Sequence, residues 1–199
     1  LFCDNGYICT VQTTKPDLSG YDTVMQFGEG HELIVVIGGD GTYNEVVAGV
    51  IDKNLSVYEN VMNLAKIKAL DVFNRNPNEV VLAADTIVVY ENEILGKPID
   101  EMDAFRMLKL LSGKTHEVIT GVALFSEDSQ IIDYEVSKVT FNKITEEEIL
   151  EYIKTKEPMD KAGSYAIQGI GSKFVKSYEG EFDNIVGLPM KLVFKMLNN

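Results

Sequence analysis

The stretch EVVLAADTIVVY, residues 79–90, is a nearly unbroken apolar run of the length of one strand. This composition is typical of a strand that is covered on both faces of its sheet. A helical pattern precedes the run and ends at NRNPN, residues 74–78. A second helical pattern, residues 98–113, follows it and ends at Gly113. The alternation of strands and helices predicts an α/β fold with a mixed, largely parallel sheet flanked by helices.

Segments further along the chain extend this pattern. Residues 116–125 and 131–142 are predicted to be strands, and residues 145–158 a helix that opens with a capping box of Thr145 and Glu148. The glycine-rich segment 160–175 is predicted to be a loop that leads into a strand. Residues 184–199 are predicted to form a strand, a turn and a helix.

Asp85 is the most informative residue of the central strand. A carboxylate among Val, Leu, Ala and Ile pays a large desolvation cost unless it is paired or bound to metal. The structural alternative is an aspartate at a strand end that accepts backbone N–H bonds. Apolar residues on both sides favour the functional interpretation, so Asp85 is a candidate catalytic residue and metal ligand.

Two lysines accompany this carboxylate. Lys68 shares a helical face with Leu64, Ala65 and Val72 and is predicted to point toward the core. A lysine whose ammonium group reaches water is the alternative interpretation. Lys97 lies in a Gly-Lys-Pro turn just beyond the Asp85 strand. One carboxylate and two lysines together indicate a site for a metal–polyphosphate ligand.

A glycine turn near the N-terminus indicates a second phosphate contact. The segment ELIVVIGGDGT, residues 32–42, is predicted to be a buried strand that runs into a turn, and residues 43–51 a helix. This arrangement points backbone N–H groups at an anion. The candidate substrate-binding residues of the turn are Gly38, Gly39, Asp40, Gly41 and Thr42.

Other residue types restrict the function classes. His31 and His116 are the only histidines, and neither stands in a recognisable arrangement with serine or cysteine, so nucleophilic catalysis fits poorly. His116 is interpreted as a structural hydrogen-bonding residue. Gln168, in the glycine-rich loop, carries a planar amide suited to the edge of a nucleobase. A flexible turn without a binding role is the alternative for this loop.

Composition excludes some partners. The chain has 199 residues and a net charge of −13, which argues against nucleic acid or an anionic membrane as its main partner. Its two cysteines form no disulfide framework and no zinc-binding spacing, which favours free thiols in a reducing cytoplasm. No apolar run has the length of a membrane span, and no signal peptide is recognisable. The start LFCDNGY suggests a chain shortened at its N-terminus.

Six motifs follow one another from about Leu55 to the C-terminus: ENVMNLAKIKA (59–69), AADTIVV (83–89), ILGKPID (94–100), LLSGKTHEVITGVAL (110–124), EPMDKAGSYAIQG (157–169) and IVGLP (185–189). In this order and spacing they resemble the Maf family of nucleoside triphosphate pyrophosphatases. The resemblance implies a Maf- and ITPase-like fold, a nucleoside triphosphate substrate, a divalent cation (Mg²⁺ or Mn²⁺) and a homodimer. It implies a proton acceptor at Asp85, a neighbouring specificity residue at Thr86, phosphate-binding lysines at Lys68 and Lys97, and the glutamine of the dTTP/UTP branch at Gln168.

The N-terminal part departs from that family. Maf proteins begin with a strand and a Ser-x-Ser-Pro-Arg-Arg turn whose arginines hold the triphosphate, and this chain has only Arg75 and Arg106. A glutamate of the family's second strand has no clear counterpart. Residues 1–51 instead resemble the start of the diacylglycerol-kinase-like lipid kinases. We therefore expect a chimera, with a lipid-kinase-like fragment over 1–53 and a Maf-like domain over 54–199.

The function predicted from these observations is metal-dependent hydrolysis of dTTP and UTP to monophosphate and pyrophosphate, with reduced activity. Two alternative functions remain open. One is a non-catalytic nucleotide-binding chimera whose two half-sites never meet. The other is a fragment of an ATP-dependent lipid kinase, which the missing catalytic half disfavours. Release of pyrophosphate from UTP separates the first function from both alternatives.

Overall fold

The computed structural model describes residues 33–37, as backbone, and residues 51–198, and its centre is a six-stranded sheet. The order across the sheet is β1-β2-β4-β5-β6, and β3 pairs with the edge of β2 that also carries β1. The apolar run that contains Asp85 is β2, as predicted. The strands are β1 (Leu33–Ile37), β2 (Val80–Tyr90), β3 (Glu93–Leu95), β4 (Thr115–Phe125), β5 (Gln130–Phe141) and β6 (Val175–Glu179).

The α/β class and the flanking helices are confirmed, but the prediction of a largely parallel sheet is wrong. Only the β1–β2 pair is parallel among the described strands, and the other four pairings are antiparallel. The reason lies in the connections. β2 and β3 are joined by Glu91 and Asn92, which both have positive φ, and β4 and β5 follow each other without a helix between them. Such short connections join antiparallel strands, whereas parallel strands need a long crossover.

Five described helices surround the sheet, and none of them is long and apolar enough to cross a membrane. Three 3₁₀ turns are also described. Glu157–Asp160 takes the place of the end of the helix predicted over 145–158, and Ala162–Ser164 and Ile170–Phe174 lie in the predicted glycine-rich loop. The helices are α1 (Val57–Phe73), α2 (Glu101–Leu111), α3 (Glu146–Lys154), α4 (Phe182–Val186) and α5 (Met190–Leu197).

Local signals fix where these helices begin and end. α1 opens with a capping box of Ser56 and Glu59, and α3 opens with the predicted one of Thr145 and Glu148. Gly113, with φ +70°, follows the end of α2 as predicted. The predicted strand at residue 184 is wrong, because that segment is the end of α4. This helix stops at Gly187, whose φ of +116° suits a residue without a side chain.

The spacing between α1 and the sheet depends on Gly121 of β4. A Cβ atom at this position would lie 2.4 Å from the carbonyl oxygen of Val61, so only glycine lets the helix backbone lie directly on the strand. Gly121 is the β4 partner of Asp85. The close approach therefore brings α1 against the same face of the sheet onto which the Asp85 side chain projects.

Candidate active site

Strand pairing along one edge of β2 has a gap at Asp85. The last residue of β1, Ile37, pairs with Ala84, and Leu95 of β3 pairs with Val88. Residues 85–87 therefore have no neighbouring strand on that edge within the described part of the chain. A cavity of about 870 Å³ opens at this gap. Successive side chains of a strand point to opposite faces, so Asp85 and Thr86 line the cavity from the two sides of the sheet.

Asp85 and Lys68 form an ion pair on the α1 side of the gap. Their Nζ and Oδ1 atoms are 2.7 Å apart, and the side chains are 3% exposed for Lys68 and 17% for Asp85. The prediction that Lys68 points to the core is confirmed, since it lies buried on the face of α1 that also carries Ala65 and Val72. Asp85 borders the cavity, whereas Lys68 lies behind it. Lys68 is thus placed to hold the carboxylate in one orientation.

The other predicted residues approach the cavity from different elements. Lys97, half-buried in the turn after β3, lines it, and so does Gln168, which is exposed on the loop between two 3₁₀ turns. Asp85, Thr86, Lys97 and Gln168 are therefore brought together around one cavity. Residues 38–42, the predicted phosphate-binding turn, lie outside the described residues.

Thr86 is supported by a polar network that sequence reasoning missed. Its Oγ1 lies 2.9 Å from Oγ1 of Thr120, and Thr120 Oγ1 donates to the main-chain oxygen of Asn184 at 3.0 Å. The side-chain amide of Asn184 donates in turn to Val118 O and Ser137 Oγ. Thr120 is fully buried within the stretch VITGVALF, residues 118–125, where it is the one polar side chain. That polar position in an apolar run is the same signal that identified Asp85.

Glu157 also lines the cavity and was missed. Its Oε2 accepts from the N–H of Ile170 at 2.9 Å, and its Oε1 accepts from the N–H of Gly171 at 3.0 Å and from Tyr152 Oη at 2.8 Å. Partial burial acts to raise the pKa of Glu157, but these hydrogen bonds outweigh it and hold the pKa below its ordinary value. One carboxylate thus fixes the loop that carries Gln168.

Behind this loop lies a buried aromatic cluster that contains His116. The His116 Nε2 atom is 2.8 Å from Tyr165 Oη, and the imidazole packs edge-on against Phe141. Burial lowers the pKa of His116 to about 4 and raises that of Tyr165. The interpretation of His116 as a structural hydrogen-bonding residue is confirmed by these contacts.

Neither arginine of the chain lines the cavity. Arg106 pairs with Asp103 and Glu93, both at 2.9 Å, on the exposed side of α2. Arg75 pairs with Asp71 just after α1. The described part of the chain therefore brings no guanidinium group to the site, in agreement with the missing arginine turn.

Comparison with known proteins assigns the family. The Maf profile, described as Maf-like protein, matches residues 32–199, so the match begins just before β1. A dTTP/UTP pyrophosphatase of Bacillus cereus strain ATCC 10987 is 44% identical over 188 residues, which cover 87% of this chain and 93% of that protein. Two more dTTP/UTP pyrophosphatases, from B. cereus strain ZK and Bacillus thuringiensis, are each 48% identical over 157 residues, or 77% of this chain and 82% of each relative. This chain belongs to the Maf-like protein family.

Proposed function

We propose that the chain hydrolyses dTTP and UTP to the nucleoside monophosphate and pyrophosphate in the cavity beside Asp85. The enzyme class is confirmed by relatives named dTTP/UTP pyrophosphatase that match over most of the chain, so the chain is a nucleoside triphosphate pyrophosphatase. The choice of nucleotide and the residue roles are our proposal. The observation that carries it is the Lys68–Asp85 ion pair at the gap in the sheet edge.

Asp85 is proposed to act on the attacking water. In this reaction the water oxygen bonds to phosphorus, the P–O bond that bridges the α- and β-phosphates breaks, and pyrophosphate leaves. A proton must therefore leave the attacking water. A carboxylate that borders the cavity is suited to accept that proton. Lys68 holds this carboxylate from behind, and Lys97, in the turn on the other side of the gap, offsets negative charge on the phosphates.

A divalent cation, Mg²⁺ or Mn²⁺, is proposed to accompany the triphosphate. The described residues contain no cluster of three or more carboxylate, histidine or cysteine ligands. This donor set fits a cation that is held by one carboxylate, here Asp85, together with substrate phosphates and water. When bound, such a cation would offset charge on the phosphoryl oxygens.

Reduced turnover is also proposed, because the arginine clamp is missing. Lysine provides a point charge but not the planar two-point contact of a guanidinium group. Residues 38–42 are proposed to replace part of the clamp with backbone N–H groups. The register of β1 supports this placement, since its last residue, Ile37, pairs with Ala84, directly before Asp85. Four other expectations from the sequence stay predictions. They are the lipid-kinase-like origin of residues 1–53, the domain boundary at 53/54, the homodimer and the cytoplasmic location.

A pyrophosphate-release assay tests the proposal. UTP, dTTP, GTP and ATP are compared with and without Mg²⁺, for the unmodified chain and for Asp85→Asn. Asp128→Asn, in the exposed turn between β4 and β5, is the matched control. We expect pyrophosphate from UTP and dTTP only with the cation, and loss of this activity in Asp85→Asn alone. No release from any nucleotide in the unmodified chain would refute the function.

A further inference from the structure

The hydroxyl group of Thr86 belongs to a hydrogen-bonded chain that leads away from the cavity. Thr86 Oγ1 is 2.9 Å from Thr120 Oγ1, which is 3.0 Å from the main-chain oxygen of Asn184. Thr120 and Asn184 are both 0% exposed. These hydrogen bonds therefore connect the side chain of Thr86, which lines the cavity, to α4 through groups that bulk water does not reach.

Counting donors fixes the direction of each bond. A carbonyl oxygen only accepts, so the single O–H of Thr120 must donate to Asn184. The oxygen of Thr120 is then left to accept, and its donor is the O–H of Thr86. If Thr120 donated to Thr86 instead, no hydrogen would lie between Thr120 Oγ1 and the Asn184 oxygen. The lone pairs of these two buried oxygens would then face each other. Thr86, which lines the cavity, thus uses its only hydrogen on Thr120 and has only lone pairs left for a ligand.

We propose that Thr120 is a specificity-positioning residue, which fixes Thr86 as a hydrogen-bond acceptor and so selects bases that carry a ring N–H. Uracil and thymine have a hydrogen on N3, whereas the same nitrogen of cytosine has a lone pair. An acceptor with a fixed direction attracts the first two bases and repels cytosine. This inference rests on the proposed function, because it requires that the base reaches Thr86.

The variant Thr120→Val tests this role. Valine has nearly the shape of threonine, and Asn184 O still accepts from the Gly187 N–H at 3.0 Å, so the substitution leaves that carbonyl partnered. Without Thr120 Oγ1, the Thr86 hydroxyl is free to turn and donate to cytosine. We expect the ratio of kcat/KM for UTP to that for CTP to fall about tenfold or more.

Thr120→Ser is the matched control, since it keeps the O–H at the same place. Its UTP/CTP ratio should stay within about twofold of that of the unmodified chain. An unchanged ratio in Thr120→Val, or an equal fall in Thr120→Ser, would overturn the proposal. Melting temperatures of both variants report their stability separately from the ratio.

A double-variant cycle tests whether Thr120 acts through Thr86. In a Thr86→Val background, Thr120→Val should leave the UTP/CTP ratio unchanged, because the hydroxyl on which it acts is absent. A further fall in the UTP/CTP ratio would show that Thr120 does not act through Thr86. If Thr120→Val does not fold, Thr86→Val alone must lower the ratio by a similar factor, and no change would sink the idea.

Failure of this inference is distinguishable from failure of the proposed function. An unmodified chain that releases no pyrophosphate from UTP or dTTP refutes the function itself. An unmodified chain that hydrolyses UTP well, with a UTP/CTP ratio insensitive to Thr120→Val, refutes only the role of Thr120.

Discussion

The ammonium group of Lys68 and the carboxylate of Asp85 are 2.7 Å apart and lie on different elements, with Lys68 buried and Asp85 partly exposed. This pair has both a structural and a proposed chemical role, and the two can be separated. Removing one member of a buried pair leaves the other charge uncompensated, which costs roughly 3–5 kcal/mol for full burial. The partial exposure of Asp85 points to the lower end of that range.

The first prediction concerns this pair. Asp85→Asn and Lys68→Met should each lower the free energy of unfolding by about 3 kcal/mol in urea titrations. The double variant should recover most of this loss, because no unpaired charge remains. Activity should not recover with it, since losing a general base lowers rates by roughly 10²–10⁴. A double variant that regains turnover would contradict the role of Asp85.

The second prediction concerns Glu157 and the Gln168 loop. Glu157→Gln turns one acceptor oxygen into a donor that faces the N–H of Ile170 or Gly171, so the loop loses a bond. We expect KM for UTP to rise severalfold with a smaller change in kcat. Glu151→Gln, exposed on α3, is the control and should change neither constant.

Glu157→Gln should also change the acid stability, and this is a separate measurement. The pKa of Glu157 is lowered in the folded chain, so its contribution is complete above the ordinary value of 4.5 and is lost as pH falls through the folded pKa. The difference in unfolding free energy between wild type and variant should therefore shrink below about pH 4.5. A difference that is constant from pH 3 to pH 7 would show that the carboxylate charge is not involved.

The third prediction concerns His116. Its folded pKa of about 4 lies below the ordinary value of 6.5, so the unfolded chain binds one more proton between these values. Stability should fall as pH drops through this window, by up to about 1.4 kcal/mol per pH unit. His116→Gln should remove that part of the slope when urea unfolding is compared at pH 5 and pH 7. Parallel pH profiles of variant and wild type would refute it.

The fourth prediction concerns base choice. Gln168→Ala removes the amide from the cavity wall and should reduce the preference for UTP and dTTP over GTP and ATP. Each well-placed hydrogen bond discriminates by about 1–3 kcal/mol, so a fall of about tenfold in the kcat/KM ratio is expected. Gln130→Ala, exposed at the start of β5, is the control. Equal rates on GTP and UTP in the unmodified chain would count against this role.

The fifth prediction concerns the missing arginines. Replacing residues 38–43 with the family's Ser-x-Ser-Pro-Arg-Arg turn should lower KM for UTP. A hydrogen bond to a charged group contributes about 1.5–3 kcal/mol, against about 0.3–1 for an exposed helix-dipole contact. Steady-state kinetics beside an intact relative provide the comparison. An unmodified chain whose kinetic constants for UTP already equal those of that relative would show that the missing arginines do not limit activity.

Much of this architecture follows from local patterns in the sequence. The faces of α1, the capping box at Thr145 and the strand around Asp85 were predicted because each depends on neighbours within a few residues. Strand direction was not predicted correctly, because it depends on which strands pair across the sheet. The Thr120 network and the Glu157 contacts were missed for the same reason. Their partners lie 64 and 14 residues away along the chain and meet only after folding.

The gap in the β2 edge also bears on how the chain avoids self-association. An exposed sheet edge is a template on which a strand from another molecule can pair, which leads to aggregates. Among the described residues, the open part of this β2 edge consists of residues 85–87, bounded by β1 on one side and β3 on the other. Three residues are too few to hold a foreign strand. This part of β2 can therefore offer edge backbone to a small molecule without offering it to another polypeptide.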